Sequence, residues 1–284
     1  MVRKLQNTKG SVKPSSNESP EKYGLLKYHQ LPEWRQMNES ITTGYIPPNN
    51  SSYRECVSSM SFIHNETGGQ YTHFLPFLLA TAECIRLTGI LCGWVDAPHG
   101  PLVEDVLAFA AFFLGAFTCM GLSTVYHMVM SHSEAVAIYA KQFDFLGIVS
   151  LIWGSLVPTI YYAFTCEVPL MKKYLTTVRP SHNDRIQIAY RDQITIISVI
   201  MTGLLLSPLA RQSWSGALIT PGFVALAGSA VVPLTHAVQL YGWQRMCQMV
   251  GMEYIAVEAV LYGIGLFCLV VRIFSSLKQA VADK

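Results

Sequence analysis

Six long apolar runs, separated by polar links, dominate the chain from residue 74 onward. Each run is long enough to cross a bilayer as one helix, which takes about 20 apolar residues. A helix satisfies all its backbone hydrogen bonds internally, as lipid requires. The sequence therefore predicts an all-α fold, a polytopic transmembrane helix bundle of about six spans. The runs cover residues 74–95, 107–130, 136–164, 193–209, 217–241 and 250–274.

The remaining chain divides into three polar parts. Residues 1–22 hold Lys, Ser, Pro and Asn with almost nothing apolar, so we expect a disordered tail. Residues 23–73 carry scattered Leu, Trp and Tyr broken by Pro and Gly, which predicts a soluble N-terminal arm. The bundle then occupies residues 74–274, and residues 275–284 form a short polar tail.

One stretch of the arm has an amphipathic pattern. Residues 53–64 are predicted to form a helix that lies on the membrane surface. Its apolar contacts would be Val57, Met60 and the pair Phe62–Ile63.

Charge and cysteine content exclude several classes of function. Only 13% of residues are charged and the net charge is +2, which gives no basis for nucleic-acid binding. The seven cysteines are scattered, form no CxxC motif and lie mostly in apolar runs, as buried small hydrophobic residues do. Residues 1–20 lack an apolar core with a cleavage site, so no cleavable signal peptide is expected.

The orientation in the membrane is not set by charge. Basic residues divide evenly between the links of the two sides, so the positive-inside rule does not decide. Acceptor sequons at Asn38, Asn50 and Asn65 would favour an outside arm if they were glycosylated.

Polar side chains inside the apolar runs are the candidate functional residues, because burial at membrane depth is costly. Ser123 and His127 lie four apart on one face of the second run. Asp144 lies near the start of the third run, on the same side of the membrane. This trio suits a metal site or acid–base chemistry. The alternative is that Asp144 only hydrogen-bonds His127 and joins two helices.

Other polar residues in the runs have more ordinary interpretations. Glu83 and Arg86, three apart, are predicted to form a structural ion pair. Glu258 has no partner visible in the sequence, which favours the protonated acid. His236 is predicted to be interfacial, and His132 lies too far along to share a helical face with His127.

Small residues and prolines predict the packing of the runs. Gly89 and Gly93 form a GxxxG, which would let a neighbouring helix approach closely. Pro158, Pro221 and Pro233 are each predicted to bend a helix, and bends open the space that a cavity needs.

An ordered series of motifs runs through the arm and the apolar runs. The motifs are Leu31-Pro-Glu-Trp-Arg35, Asn38-Glu39, Gly44-Tyr-Ile-Pro-Pro48, Tyr53-Arg-Glu-Cys56, His64-Asn-Glu-Thr67, Thr72-His73, Ser123-x-x-x-His127, His132-Ser133, Asp144-x-x-Gly147, Ser155-x-x-Pro158 and Tyr161-Tyr162. Together they resemble the progestin and adipoQ receptor family, which includes the hemolysin III proteins, and are most similar to its fungal members. The resemblance covers about residues 25–272.

The resemblance implies a seven-helix bundle with a cytosolic amino terminus and a zinc ion near the cytosolic membrane face. It implies His127 as a zinc ligand, with two more from an H-x-x-x-H on the seventh helix, and Ser123 and Asp144 holding a zinc-bound water. Gly69 is a small departure, since the family often has Asn there. No seventh run follows residue 274, so the zinc site looks incomplete in this chain and we expect zinc to bind weakly or not at all. The chain is then either truncated or without zinc chemistry.

The resemblance, taken together with the buried polar residues, leaves three possible functions. The first is a receptor or regulator in lipid (sterol, ceramide or fatty-acid) and zinc homeostasis or signalling, in the plasma membrane or endoplasmic reticulum, with a membrane lipid or isoprenoid as ligand. The second is an enzyme, either a ceramidase-like zinc hydrolase of lipid amides or a metal-free terpene cyclase of fungal secondary metabolism that uses Asp144 or Glu258 as a buried acid. The third is a non-catalytic remnant.

Overall fold

The computed structural model of the protein describes residues 24–36, 38–48, 52–96, 102–175, 185–212 and 215–282. Helices account for most of them, and the β-structure among these residues is one antiparallel bridge between Leu26 and Tyr45. The predicted all-α fold is confirmed. The α-helices are α1 (Tyr53–Ser58), α2 (Thr67–Leu91), α3 (Val103–Val129), α4 (Glu134–Ala163), α5 (Val168–Leu175), α6 (Arg185–Leu206), α7 (Gly216–Gly228), α8 (Val231–Tyr241), α9 (Trp243–Val250) and α10 (Met252–Ala282).

Several of these helices are suited to a bilayer. By length and apolar composition, α2, α3, α4 and the combined segment Leu218–Tyr241 can each cross a membrane. A fifth candidate is α9 together with α10, whereas the apolar helix Ile196–Leu206 is shorter. Large apolar side chains point outward, among them Leu79 at 70% exposed and Val199 at 65%. The chain is an integral, multi-pass membrane protein, and six remains the predicted number of spans.

The arm folds back on itself before the first membrane helix. Short 3-10 helices cover Tyr28–Gln30 and Glu33–Arg35. The predicted surface helix is shorter than expected, because α1 ends at Ser58 and a 3-10 turn covers Ser59–Ser61. Serine hydroxyls explain this end, since Ser59 Oγ donates to the carbonyl of Cys56 at 2.7 Å and so competes with helical bonding. The tail at residues 1–22 lies outside the described residues.

Glycines bring α3 and α4 into the closest helix contact of the bundle's first half. A Cβ on Gly147 would lie 2.7 Å from Cα of Cys119, and one on Gly154 would lie 2.5 Å from the carbonyl oxygen of Ala111. These positions show that the two helices run antiparallel with their backbones nearly touching.

The predicted GxxxG contact is wrong. α2 ends at Leu91, and Gly93 lies beyond it with a φ of +70°. Gly89 accepts a hydrogen bond from the backbone N–H of Trp94 at 2.8 Å, and a Cβ on Gly89 would meet the side chain of Val95. The two glycines therefore end α2 rather than pack a second helix against it.

Of the three prolines, one coincides with a break. The predicted run 217–241 is split into α7 and α8 around Ser229, four residues before Pro233. Proline lacks the N–H that would bond that carbonyl, and its ring crowds it. Pro158 and Pro221 lie inside unbroken helices.

The last part of the chain turns sharply. α9, which the apolar pattern did not predict, meets α10 at Gly251 with an angle of 87° between their axes. Gly251 has a φ of +64°, a left-handed conformation that glycine adopts without strain. α10 continues to Ala282, so most of the predicted polar tail is helical.

Candidate functional site

Ser123 and Asp144 meet across the close packing of α3 and α4. Because Gly147 lies opposite Cys119 in an antiparallel pair, Asp144, about one turn before Gly147, comes opposite Ser123. Ser123 is 4% exposed, and its hydroxyl interacts with the Asp144 carboxyl group. The structure thus brings together two of the three residues that the sequence singled out.

His127, the third residue, is enclosed by one face of α2. Glu66, the N-cap residue just before α2, occupies position i, and Gly69, Gln70 and His73 of α2 occupy i+3, i+4 and i+7. The four residues form one stripe, which we call the α2 cradle. Glu66 Oε2 lies 2.8 Å from Nδ1 of His127, and Gln70 Nε2 donates to the backbone oxygen of His127 at 3.2 Å. The ring of His73 stacks on that of His127 with centroids 5.1 Å apart.

The absence of a side chain at Gly69 allows the α2 cradle to lie close to the His127 ring. A Cβ at this position would lie 2.6 Å from Nδ1 of His127 and 2.7 Å from Cε1. Real Cβ atoms essentially never come this close to a neighbour, so a side chain here would push the imidazole away.

The arm covers the end of α3 beyond His127. The ring of Tyr53 stacks on that of His132, with centroids 4.2 Å apart and planes within 20°. Cys56 Sγ lies 3.9 Å from Oγ of Ser131, and both residues are buried. The site therefore lies at one end of the bundle, beneath a folded arm.

The arm carries a buried cation near Glu66. Arg35 is 4% exposed and donates from Nη1 to the carbonyl of Ile46. Burial lowers the pKa of the Arg35 guanidinium, and the nearby Glu66 carboxylate opposes that change. Asp144 in turn interacts electrostatically with His127. Glu66 therefore interacts both with the Arg35 guanidinium and with the His127 imidazole.

His64 is a further buried histidine in the arm. Its Nδ1 accepts a hydrogen bond from the backbone N–H of Glu66 at 3.0 Å, so in the neutral ring the hydrogen is on Nε2. Burial lowers the pKa of His64, while Gln70 and Glu66 oppose that change.

Glu258, the second predicted acid, lies on α10. Its side chain is exposed on α10, and its electrostatic effect falls on Tyr262. Within the described ranges, no hydrogen bond or ion pair joins Glu258 to Ser123, His127 or Asp144. Its role as an acid stays a prediction.

Two other predictions concerned Glu83 with Arg86, and His236. Arg86 Nε lies 2.7 Å from Oε2 of Glu83, so the predicted ion pair is confirmed. His236 lies at the other end of the bundle from His127, where its Nδ1 is 2.9 Å from the hydroxyl of Tyr174 on α5.

The zinc ion implied by the resemblance has no complete ligand set here. In the part of the chain that the structure describes, no group of three or more His, Cys, Asp or Glu side chains could hold a metal ion. The Nδ1 of His127 is engaged by Glu66, which leaves Nε2 as its only nitrogen for a ligand. The described residues therefore do not fit a four-coordinate zinc site.

Sequence reasoning missed the cradle residues Glu66, Gln70 and His73. Their signal was the helical spacing of polar and small residues immediately before the first apolar run. The run was predicted to begin at residue 74, whereas α2 begins at Thr67, so its first two turns were assigned to the arm.

Comparison with known proteins gives a consistent result. A sequence model of the family described as "Haemolysin-III related" matches residues 61–281. The adiponectin receptor protein of Drosophila melanogaster is 27% identical over 252 residues, which are 88% of this chain and 51% of that protein. Progestin and adipoQ receptor-like protein 1 of Caenorhabditis elegans is 29% identical over 248 residues, 86% of this chain and 51% of that protein.

A yeast relative is similar over more of its own length. The ADIPOR-like receptor IZH2 of Saccharomyces cerevisiae is 26% identical over 248 residues, which are 85% of this chain and 69% of that protein. The chain spans about half the length of the animal relatives named above.

Proposed function

This chain belongs to the haemolysin-III-related family, and on that premise we propose that it is a membrane receptor that acts in lipid and zinc homeostasis or signalling. Its ligand is a membrane lipid, of the sterol, ceramide, fatty-acid or isoprenoid class. The three relatives described above all carry the word receptor in their names. The proposed membrane is the plasma membrane or the endoplasmic reticulum, with the amino terminus in the cytosol.

The observation that carries this proposal is the polar site formed by Ser123, His127 and Asp144. Ionisable groups at membrane depth are costly and usually serve a ligand or a proton. Here they come from two packed helices, and His127 is held by a third. Since the folded arm covers the same end, a change at the site would reach the arm directly.

The test is expression in a Saccharomyces cerevisiae strain that lacks its ADIPOR-like receptor IZH2. Total cell zinc is measured by elemental analysis, and ceramides, free sphingoid bases and sterols by mass spectrometry. We expect the wild-type chain to change zinc or at least one lipid class relative to the empty vector. Ser123→Ala, His127→Ala and Asp144→Asn should remove the change at equal protein levels.

Glu83→Gln is the matched control, because it removes a carboxylate from the exposed ion pair on α2, away from the site. It should behave as the wild type. Site variants that keep the full effect would overturn the proposal. A fall in ceramide with an equal rise in free sphingoid base would instead favour the hydrolase.

A further inference from the structure

The first two turns of α2 hold His127 in one orientation. An ionised carboxylate only accepts hydrogen bonds, so the 2.8 Å contact of Glu66 Oε2 requires a hydrogen on Nδ1 of His127. None of the described hydrogen bonds uses Nε2 of His127. In the neutral ring Nε2 then keeps its lone pair.

Two further contacts restrict the imidazole. The ring of His73 stacks on one side with planes within 25°, and its own Nδ1 is 2.7 Å from the carbonyl of Gly69, which fixes the stacking ring. Gln70 is fully buried and bonds both Ser59 and the backbone of His127, so the α3 backbone is tied to α2 at the same level.

The orientation of the His127 ring depends on Gly69 as well as on Glu66. The Glu66 contact needs the imidazole to lie against the α2 backbone, and the missing side chain at position 69 provides that space. Its neighbour Gly68 is also helical, but a Cβ there would have no heavy atom within 4 Å. The two glycines thus differ only in what they face.

We propose that Glu66 and Gly69 are positioning residues that hold His127 in its Nδ1–H tautomer against α2 and leave Nε2 for the ligand. Glu66 supplies the acceptor that selects the tautomer, and Gly69 supplies the room. The proposal rests on the proposed function only in taking His127 as part of the ligand site. Residues outside the predicted trio therefore determine which ring nitrogen of His127 can accept a hydrogen bond from a ligand.

The experiment is ¹⁵N nuclear magnetic resonance of the full chain in lipid nanodiscs, with ¹⁵N-labelled histidine. The spectrum is recorded at about pH 9, where an ordinary imidazole is neutral. The chain has eight histidines, so the His127 signals are identified by their loss in His127→Gln. We expect a single tautomer with the hydrogen on Nδ1. A wild-type ring with the hydrogen on Nε2 would overturn the proposal.

Variants separate positioning from general destabilisation. Glu66→Ala and Gly69→Ala should both give a mixture of tautomers, whereas Gly68→Ala should retain the single Nδ1–H form. Identical spectra for the two glycine variants would contradict the role of Gly69. Because this measurement reports on His127 itself, it can succeed or fail independently of any lipid or zinc effect in yeast.

Discussion

His64 couples the stability of the arm to pH. Its folded-state pKa lies below the ordinary value of 6.5 because the ring is buried. Below about pH 6.5 the His64 ring is therefore protonated more readily in the unfolded chain than in the folded arm. The contribution of His64 to the free energy of unfolding is complete above that pH and decreases as the pH falls below it. The charged groups that act on the His64 pKa are Glu66, which raises it, and Arg35, which lowers it.

We expect thermal unfolding of the purified protein to show this loss between about pH 7 and pH 5. Other groups titrate in the same range, so the informative quantity is the difference between wild type and His64→Gln. The variant should lose less stability on acidification. An equal loss in both proteins would show that His64 does not carry the effect.

At the scale of helices, the α3–α4 contact depends on glycine. Gly147→Ala or Gly154→Ala would place a methyl group 2.5–2.7 Å from the opposite backbone. Such overpacking costs about 1–3 kcal/mol, because neither backbone can move without its whole helix. We expect a lower midpoint of thermal unfolding in detergent for both variants.

Gly203→Ala on α6 is the control, since a Cβ there meets nothing within 4 Å. Alanine also has the higher helix propensity, so this variant should be at least as stable as the wild type. If all three variants unfold at the same temperature, the close approach of α3 and α4 is not what stabilises the pair.

The helices were predictable because bilayer thickness and apolar length fix them together. Apolar length does not predict where a helix begins or ends. It could not show that α2 begins in polar residues at Thr67, or that Gly251 turns the chain between α9 and α10. Ser123 and Asp144 were predictable from their positions along neighbouring runs. The helical spacing of Glu66 with Gln70 and His73 could be read from the sequence, but its contact with His127, 61 residues away, could not.

For the whole molecule, orientation is the open prediction with the simplest test. Asn65 begins a sequon, but its Nδ2 donates a hydrogen bond to Glu66 Oε1, so a glycan on this nitrogen would disturb that contact. With the arm in the cytosol, Asn38, Asn50 and Asn65 should all remain unmodified. A sequon engineered into the link between α2 and α3 should be glycosylated in microsomes.

A glycan on the native Asn38 or Asn50 would place the arm outside the cytosol. It would also reverse the side on which the Ser123, His127 and Asp144 site opens. Mass measurement with and without glycosidase distinguishes these results.

The contact between the arm and the end of α3 has a consequence for biogenesis. The chain is synthesised from its amino terminus, but Cys56 contacts Ser131, which lies 75 residues later. Gln70 likewise contacts His127, which lies 57 residues later. The arm is therefore synthesised before the end of α3 that it covers. Its Tyr53, Cys56 and Glu66 contacts form only after α3 has been synthesised and has entered the bilayer.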